Sequence, residues 1–473
     1  MRNKLVILLV SVLIISSCNQ QDFDPANVDV STRCSNDVTE QLTEAYIYGF
    51  PLVMMEMTKI IATNVNPSNP NGAPVNQLFH NQNYPDENYT SVVRASVDIL
   101  YSSAWLDLRA EPMVLDLPDT QGRYSLFPIL DAWTNVISSP GTRNTGGDAQ
   151  TYIITGPDWN GTVPPNMSEI KSPTYTTWLI GRIQVNNKED GETVVKSIQE
   201  GMRLTPLSAY GSGYIPPAPE PYNPGIGTQP PSMAIFNLSI EDFFNKMNEL
   251  MVNNPPARAD VHFLRSLHHL GIDAGRHFKI NRFSPAMREE LANIPQTVKN
   301  RLLGILQSQS INHNGWSNLP DLGNYGTNYG IRAGVAYIGL GANKDEDAIY
   351  FSTYYDLNGA PLDASQYNYK LHFEANEIPP VNAFWSLSAY NQNSFFMGNE
   401  LDRFSIGSRD SLIINEDGSL DLYLQYENPG SEFEANWLPV QNGIFNLTMR
   451  LYWPTQEVLN EQWVMPPLIK TTR

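Results

Sequence analysis

Two stretches near the end of the chain alternate with a period of two. Leu420, Leu422, Leu424 and Tyr426 fall on one side, with Asp421, Tyr423, Gln425 and Glu427 on the other. Phe445, Leu447, Met449 and Leu451 oppose Asn446, Thr448, Arg450 and Tyr452 in the same way. Successive side chains of a strand point to opposite faces, so this pattern buries its apolar set only as one face of a sheet. Asn358-Gly359 and Asp417-Gly418 are dipeptides that hairpin turns prefer. Roughly eight strands of this kind from residue 325 onward, with aromatic inner faces, predict a sandwich or jelly roll. Composition agrees. Charged residues are only 17%, while 31 Gly and 35 Pro in 473 residues belong to turn-rich β structure rather than to long solvated helices. The hydrophobic fraction of 41% supplies a large core, and a net charge of −19 argues against a nucleic-acid partner. The chain contains no P-loop, no G-x-S-x-G elbow, no H-E-x-x-H and no dinucleotide fingerprint.

The first residues read as an address. Arg2 and Lys4 precede an apolar run over residues 5–15, too short to span a bilayer as a mature helix. The run ends in Ile15-Ser16-Ser17-Cys18, which resembles the lipobox of bacterial lipoproteins and makes Cys18 the expected lipidation site. Asn19 follows, rather than the Asp that holds many lipoproteins at the inner membrane, so the expected location is the bacterial envelope, on the outer membrane. With Cys18 lipidated, Cys34 is left without a disulfide partner, and no cysteine-based metal site exists.

The expected fold class is α+β and multidomain. Residues 1–17 are a signal peptide and 18–35 a tether. Residues 36–204 form an α+β domain, 205–235 a proline-rich linker, 236–312 a helical segment, and 313–473 the β-sandwich or jelly-roll domain. In the first domain, Leu42, Tyr46, Gly49, Val53, Met57 and Ile60 recur at gaps of three and four, predicting a helix to about residue 63 with a break at Pro51. Residues 92–99 alternate and predict a strand; so do 112–117, 124–135, 151–155 and 178–185. A helix starting at Pro255-Pro256 is expected to align Arg258, His262, Arg265, His269, Asp273 and Arg276 on one face, and Ser284-Pro285 opens another helix to about residue 308.

Several segments resemble known families. Residues 44–53 (EAYIYGFPLV), 97–108 (VDILYSSAWLDL), 123–161 and Ile180-Gly181-Arg182 resemble the bacterial domain-of-unknown-function family 1254. Residues 338–342 (IGLGA), 379–390 (PPVNAFWSLSAY), 403–407 and 436–454 resemble its usual C-terminal companion, family 1214. The resemblance implies an α+β N-terminal part with a helical insert and a jelly-roll-like C-terminal domain, and it implies no reaction. Ser96 and Ile99 stand where the family usually carries Asn and Thr.

Candidate site residues follow from the alternation. On a strand over residues 92–99, Arg94, Ser96 and Asp98 share a face and Tyr101 adds a hydroxyl just beyond its end. Asp131, Trp133 and Asn135 share a face at the end of a second strand, and the loop over residues 141–148 offers Arg143 on a segment flexible enough to close over a ligand. Asp98 and Asp131 are the candidate acids or bases; Arg94, Tyr101, Trp133, Asn135 and Arg143 are the candidate binding residues. The competing reading is that these charges pair with one another and stitch strands together. Asp345-Glu346-Asp347 could hold calcium but lacks the ligand spacing of a calcium loop; no metal and no cofactor is expected. Trp385, Tyr390, Trp437, Tyr452 and Trp453 could stack on sugars but suit a core equally well. The expected function is a lipid-anchored envelope protein that binds or processes a small polar or carbohydrate-like ligand in its N-terminal domain. Its partners would be the bilayer and a small molecule or glycan. The alternative is a non-catalytic binding or structural module working through the β domain.

Overall fold

The computed structural model describes residues 35–65, 72–89, 93–227 and 229–472. The signal segment, Cys18 and Cys34 lie outside the described residues, as does nearly all of the tether. Among the described residues no helix is long and apolar enough to cross a membrane.

Helix α1 (Ser35–Thr63) runs through the middle of a helical layer. Leu42, Tyr46, Tyr48, Phe50 and Val53 are all buried, so it is packed on several sides rather than along one stripe. That packing explains why α1 continues through Pro51 where the sequence predicts a break: the lost hydrogen bond and ring clash of an internal proline are outweighed by burial on both flanks.

Two small sheets follow. Strands β1 (Ile99–Asp107) and β2 (Thr176–Gln184) pair antiparallel from Ile99↔Gln184 to Asp107↔Thr176. They form the centre of a sheet ordered Phe79–His80, β1, β2, Ile129–Asp131, Val136–Ser138, with Ser125–Leu126 also on β2. A second sheet runs Arg203–Pro206, Met113–Leu117, Gln150–Thr155, Ser168–Lys171. Leu100, Leu106, Leu115, Ile154 and Leu179 join the two in one core. The strand predicted over residues 92–99 does not exist among the described residues. Residues 93–98 are turn and bend, Arg94 sits at a φ of 53°, and pairing begins at Ile99. Alternation in this segment reflects contacts with the C-terminal domain, not a ladder. The strand predicted over 124–135 is likewise split into Ser125–Leu126 and Ile129–Asp131 around Pro128.

The helical layer is completed by α2 (Ile240–Asn253), α3 (Ile294–Gln309) and α4 (Tyr329–Gly339), which pack against α1 and each other. Ser239 caps α2 by accepting from the Asp242 amide at 3.0 Å. The α1–α2 crossing is close: a Cβ on Gly49 would lie 2.0 Å from the Met247 sulfur. Tyr46 stacks on Phe243 with centroids 3.6 Å apart. Two expectations fail in this layer. The helix from Pro256 stops at Gly271, whose φ is 90°, so Asp273 and Arg276 lie past its end and the six-residue stripe is not one face. Asp273 pairs with His268 at 3.2 Å. And α4 lies inside the segment assigned to the β domain, although it packs on α1 and α3; its residues from Ile331 to Ala336 are all buried, without the alternation of a one-faced strand.

The C-terminal part is a two-sheet β-sandwich. Strands β3 (Ala348–Thr353), β4 (Val381–Asn391) and β5 (Phe445–Pro454) lie in a sheet ordered Ile311–His313, Trp316–Asn318, β3, β5, β4, Ser405–Gly407. The facing sheet runs Trp437–Pro439, Leu420–Gln425, Tyr367–Phe373, Leu468–Thr472. Leu420, Leu422, Leu424, Phe445, Leu447, Met449 and Leu451, the alternating apolar residues of the two strands, meet in one core between the sheets. Trp385, Tyr390, Trp437 and Tyr452 are each at most 2% exposed. Trp453 is half-buried.

Candidate functional site

The outer face of β1 and β2 carries three opposed pairs: Tyr101↔Arg182, Ser103↔Ile180 and Trp105↔Trp178. Residues i, i+2 and i+4 of a strand share a face, so Tyr101, Ser103 and Trp105 stand in a row opposite Arg182, Ile180 and Trp178. The other face of the same strands, Leu100, Ala104, Leu106, Leu179 and Ile183, belongs to the N-terminal core. Above the three pairs is a cavity of about 390 Å³. Its far walls come from Thr58 and Ala62 of α1, from Phe79, Asn81 and Tyr89, from residues 94–96, and from Leu340 after α4.

At one end of this wall the indoles of Trp105 and Trp178 stack with centroids 4.6 Å apart and planes 6° from parallel. Trp178 donates from Nε1 to Ser103 Oγ at 2.9 Å, which fixes the ring. At the other end the Arg182 guanidinium lies 5.6 Å from the Tyr101 ring centre and donates to Gly341 O at 2.9 Å and Ile180 O at 3.3 Å. Arg182 is 7% exposed, and its Nε has no hydrogen-bond partner. Arg94 reaches the same cavity. It donates to Ser352 Oγ at 2.9 Å and to the Tyr354 hydroxyl, and its own carbonyl accepts from Arg450 at 2.9 Å. Burial pulls the Arg94 guanidinium below its ordinary pKa, and the neighbouring Arg450 charge adds to this. Among the described residues, the lining contains no carboxylate, histidine, cysteine or lysine.

Of the residues singled out from the sequence, Arg94 and Tyr101 line this cavity together with Ser96. The others lie elsewhere. Asp98 is 3% exposed and faces the C-terminal domain: it accepts from Ser386 Oγ at 2.6 Å, from Ser405 Oγ at 3.3 Å and from the Arg409 guanidinium. Asp131 closes a turn, accepting from the amides of Trp133 and Asn135 at 2.9 Å each and from the Asn135 side chain at 3.0 Å. Burial pushes its carboxyl above the usual range, and those hydrogen bonds oppose the shift. Trp133 fills the helical core and donates to Asn254 O at 3.2 Å. Arg143 pairs with Asp347 at 2.6 Å. Its loop is tied down by Thr142 N to Ser125 O at 2.9 Å and Asn144 Nδ2 to Ser139 O at 2.8 Å, so it is an anchored turn rather than a lid. Asp345 turns away from Asp347, accepting from the Asp321 amide at 2.7 Å.

The sequence reading missed Ser103, Trp105, Trp178 and Arg182. Their signal was present: both strands alternate, and their aromatic and charged residues, Tyr101, Trp105, Asp107, Trp178 and Arg182, fall on a single face.

Two family models match the chain: Protein of unknown function (DUF1254) over residues 75–206 and Protein of unknown function (DUF1214) over residues 347–456. No curated protein matches at a significant level. The chain is similar to the crystal structure of the VPA0106 protein from Vibrio parahaemolyticus, with a TM-score of 0.70 and 22% identity over 92% of this chain and 100% of that one. At that identity the likeness speaks for the fold. A protein from Burkholderia cenocepacia aligns over 93% of each chain with a TM-score of 0.41 and 12% identity, which carries no weight. Strands β1 and β2 fall in the first match and β3, β4 and β5 in the second, so the chain joins an N-terminal region that matches DUF1254 to a C-terminal region that matches DUF1214.

Proposed function

We propose that this protein binds a small organic molecule in the cavity over β1 and β2. The observation that carries the reading is the wall itself: a stacked tryptophan pair at one end, cations at the other, and no carboxylate, histidine, cysteine or lysine among the described lining residues. Acid–base catalysis needs a group that can exchange a proton near neutrality within reach of the ligand, and the carboxylates nominated from the sequence are spent on structure. Binding without turnover is the simpler chemistry. The apolar end of the wall favours a ligand with a flat or chain-like apolar body over a sugar. The sugar-stacking alternative on the sandwich is disfavoured by the burial of four of its five aromatic residues, Trp453 being half-buried.

Envelope anchoring through Cys18 is part of the proposal and rests on the order of charge, apolar run and Ser-Ser-Cys. Cys18→Ser is expected to release the protein from the membrane fraction; unchanged partitioning would overturn the anchor.

Ser103→Phe tests the cavity. The ring would occupy the middle of the wall, so binding of aromatic or aliphatic probes, read by tryptophan fluorescence, should fall about tenfold or more while the fold is retained. Equal binding by the parent and this variant would place the ligand elsewhere.

A further inference from the structure

Several arginines elsewhere in the chain find carboxylates: Arg123 pairs with Asp190, Arg143 with Asp347, Arg301 with Glu40, and Arg409 with Asp98; others, Arg332 and Arg450 among them, lie buried against aromatic rings instead. Among the described residues Arg94 and Arg182 form no salt bridge. Their partners are carbonyls and hydroxyls, which satisfy hydrogen bonds and leave the positive charge uncompensated. Taking a charge out of water is costly unless an opposite charge meets it. A guanidinium offers five N–H donors, and each of these two uses two of them. In a chain of net charge −19, two uncompensated cations in one cavity are not a by-product of composition.

Their position sharpens the point. A second cavity of about 480 Å³ lies against β3 and α4, and Arg94, Arg182 and Leu340 line both cavities. The two guanidiniums therefore stand where the cavities meet. Asp345 is the carboxylate lining the second cavity, and its oxygens accept the Asp321 and Leu322 amides instead of reaching a guanidinium.

We propose, resting on the binding reading above, that the ligand is a small organic acid. Its single carboxylate is received by Arg94 and Arg182 at the junction of the cavities, and its apolar body lies along Ile180 toward the Trp105–Trp178 stack. A carboxylate matches the planar donor fork of arginine. The apolar wall excludes an inorganic anion as the full ligand, since such an ion leaves that wall uncovered.

The test compares acids with their neutral isosteres. 4-Phenylbutyrate and octanoate, each beside its primary amide, are titrated into the purified protein and followed by tryptophan fluorescence and calorimetry. At least one acid is expected to bind about tenfold or more tightly than its amide, the size of a charge-assisted hydrogen bond. Arg182→Met and Arg94→Met should each weaken the acid by about that factor, leave the amide unchanged, and so collapse the ratio. If acid and amide bind the unmodified protein equally, or if the preference survives in both variants, the anionic ligand is wrong while the cavity stands. If none of the four probes binds, the organic acid is equally overturned. If inorganic phosphate alone binds as well as the acids, the apolar body is wrong. If probes bind equally to the parent and to Ser103→Phe, the cavity reading itself falls. The acid-to-amide ratio in the unmodified protein decides the matter even if Arg182→Met does not fold.

Discussion

Asp98 and Arg182 are 84 residues apart, are nearly equally buried, and are opposite in use. Around Asp98, between the N-terminal sheet and the sandwich, a carboxylate, a guanidinium and serine hydroxyls from three segments close on one another. Around Arg182 the charge has only carbonyls, and open volume lies beside it. A buried polar group whose partners are all protein holds a structure together, while one whose charge is left open beside a cavity is placed to receive something. Charge and burial alone do not separate the two cases. The partner list does.

The largest expected effect is at the seam. Asp98→Ala leaves Arg409 facing Phe384, 4.2 Å away, without its carboxylate, and should cost about 3 kcal/mol in urea unfolding. Arg182→Met should cost about 1–2 kcal/mol, the two carbonyl bonds, and register chiefly as lost ligand affinity. If the order of these two stability losses is reversed, the comparison breaks. The smallest effect concerns Asp345, whose carboxyl is pushed up to about 6, chiefly by burial, with like charge from Asp321 and Glu346. A carboxyl with a raised folded-state pKa binds a proton on folding, so its contribution is fully present below the unfolded pKa of about 3.9 and is lost as pH rises through 6. Asp345→Asn should flatten the change in melting temperature between pH 4 and pH 7; an unaltered profile would show that this carboxyl does not titrate in that window.

Much of the architecture was legible because it rests on periodicity. The rows at 420–424 and 445–451 face each other across the sandwich core, while Tyr426, the last of the first row, lies past the strand and is exposed, and the helical spacing from Leu42 to Ile60 is α1. The failures share a cause. Residues 92–98 alternate because Val97 meets Tyr390, Phe396 and Phe404 while Asp98 meets Arg409, contacts made more than 280 residues away in sequence. Tertiary contacts imitated a strand. Asp131 was drawn as a member of a charged face when it is the acceptor that folds its own turn, a common use of Asp that local sequence favours. Arg182 was passed over because a lone cation in an apolar strand gives no sign of lacking a partner until all the other charges are placed.

The segment from Arg94 to Ser96 is one wall of the cavity, and it is held from the far end of the chain. Arg94 N bonds Ser394 O at 2.8 Å, Ala95 O accepts from the Tyr390 hydroxyl at 2.6 Å, and Arg94 O accepts from Arg450. Those partners are synthesised 295 to 356 residues later. Closing so long a loop is slow and comes after local structure has formed. A nascent chain that has made β1 and β2 therefore still lacks a finished cavity, and the Trp105–Trp178 face stays uncovered on that side until β5 arrives. Folding order makes the closed cavity the last feature the molecule acquires, and a product truncated before residue 450 would carry the whole DUF1254 match with the cavity unclosed on that side.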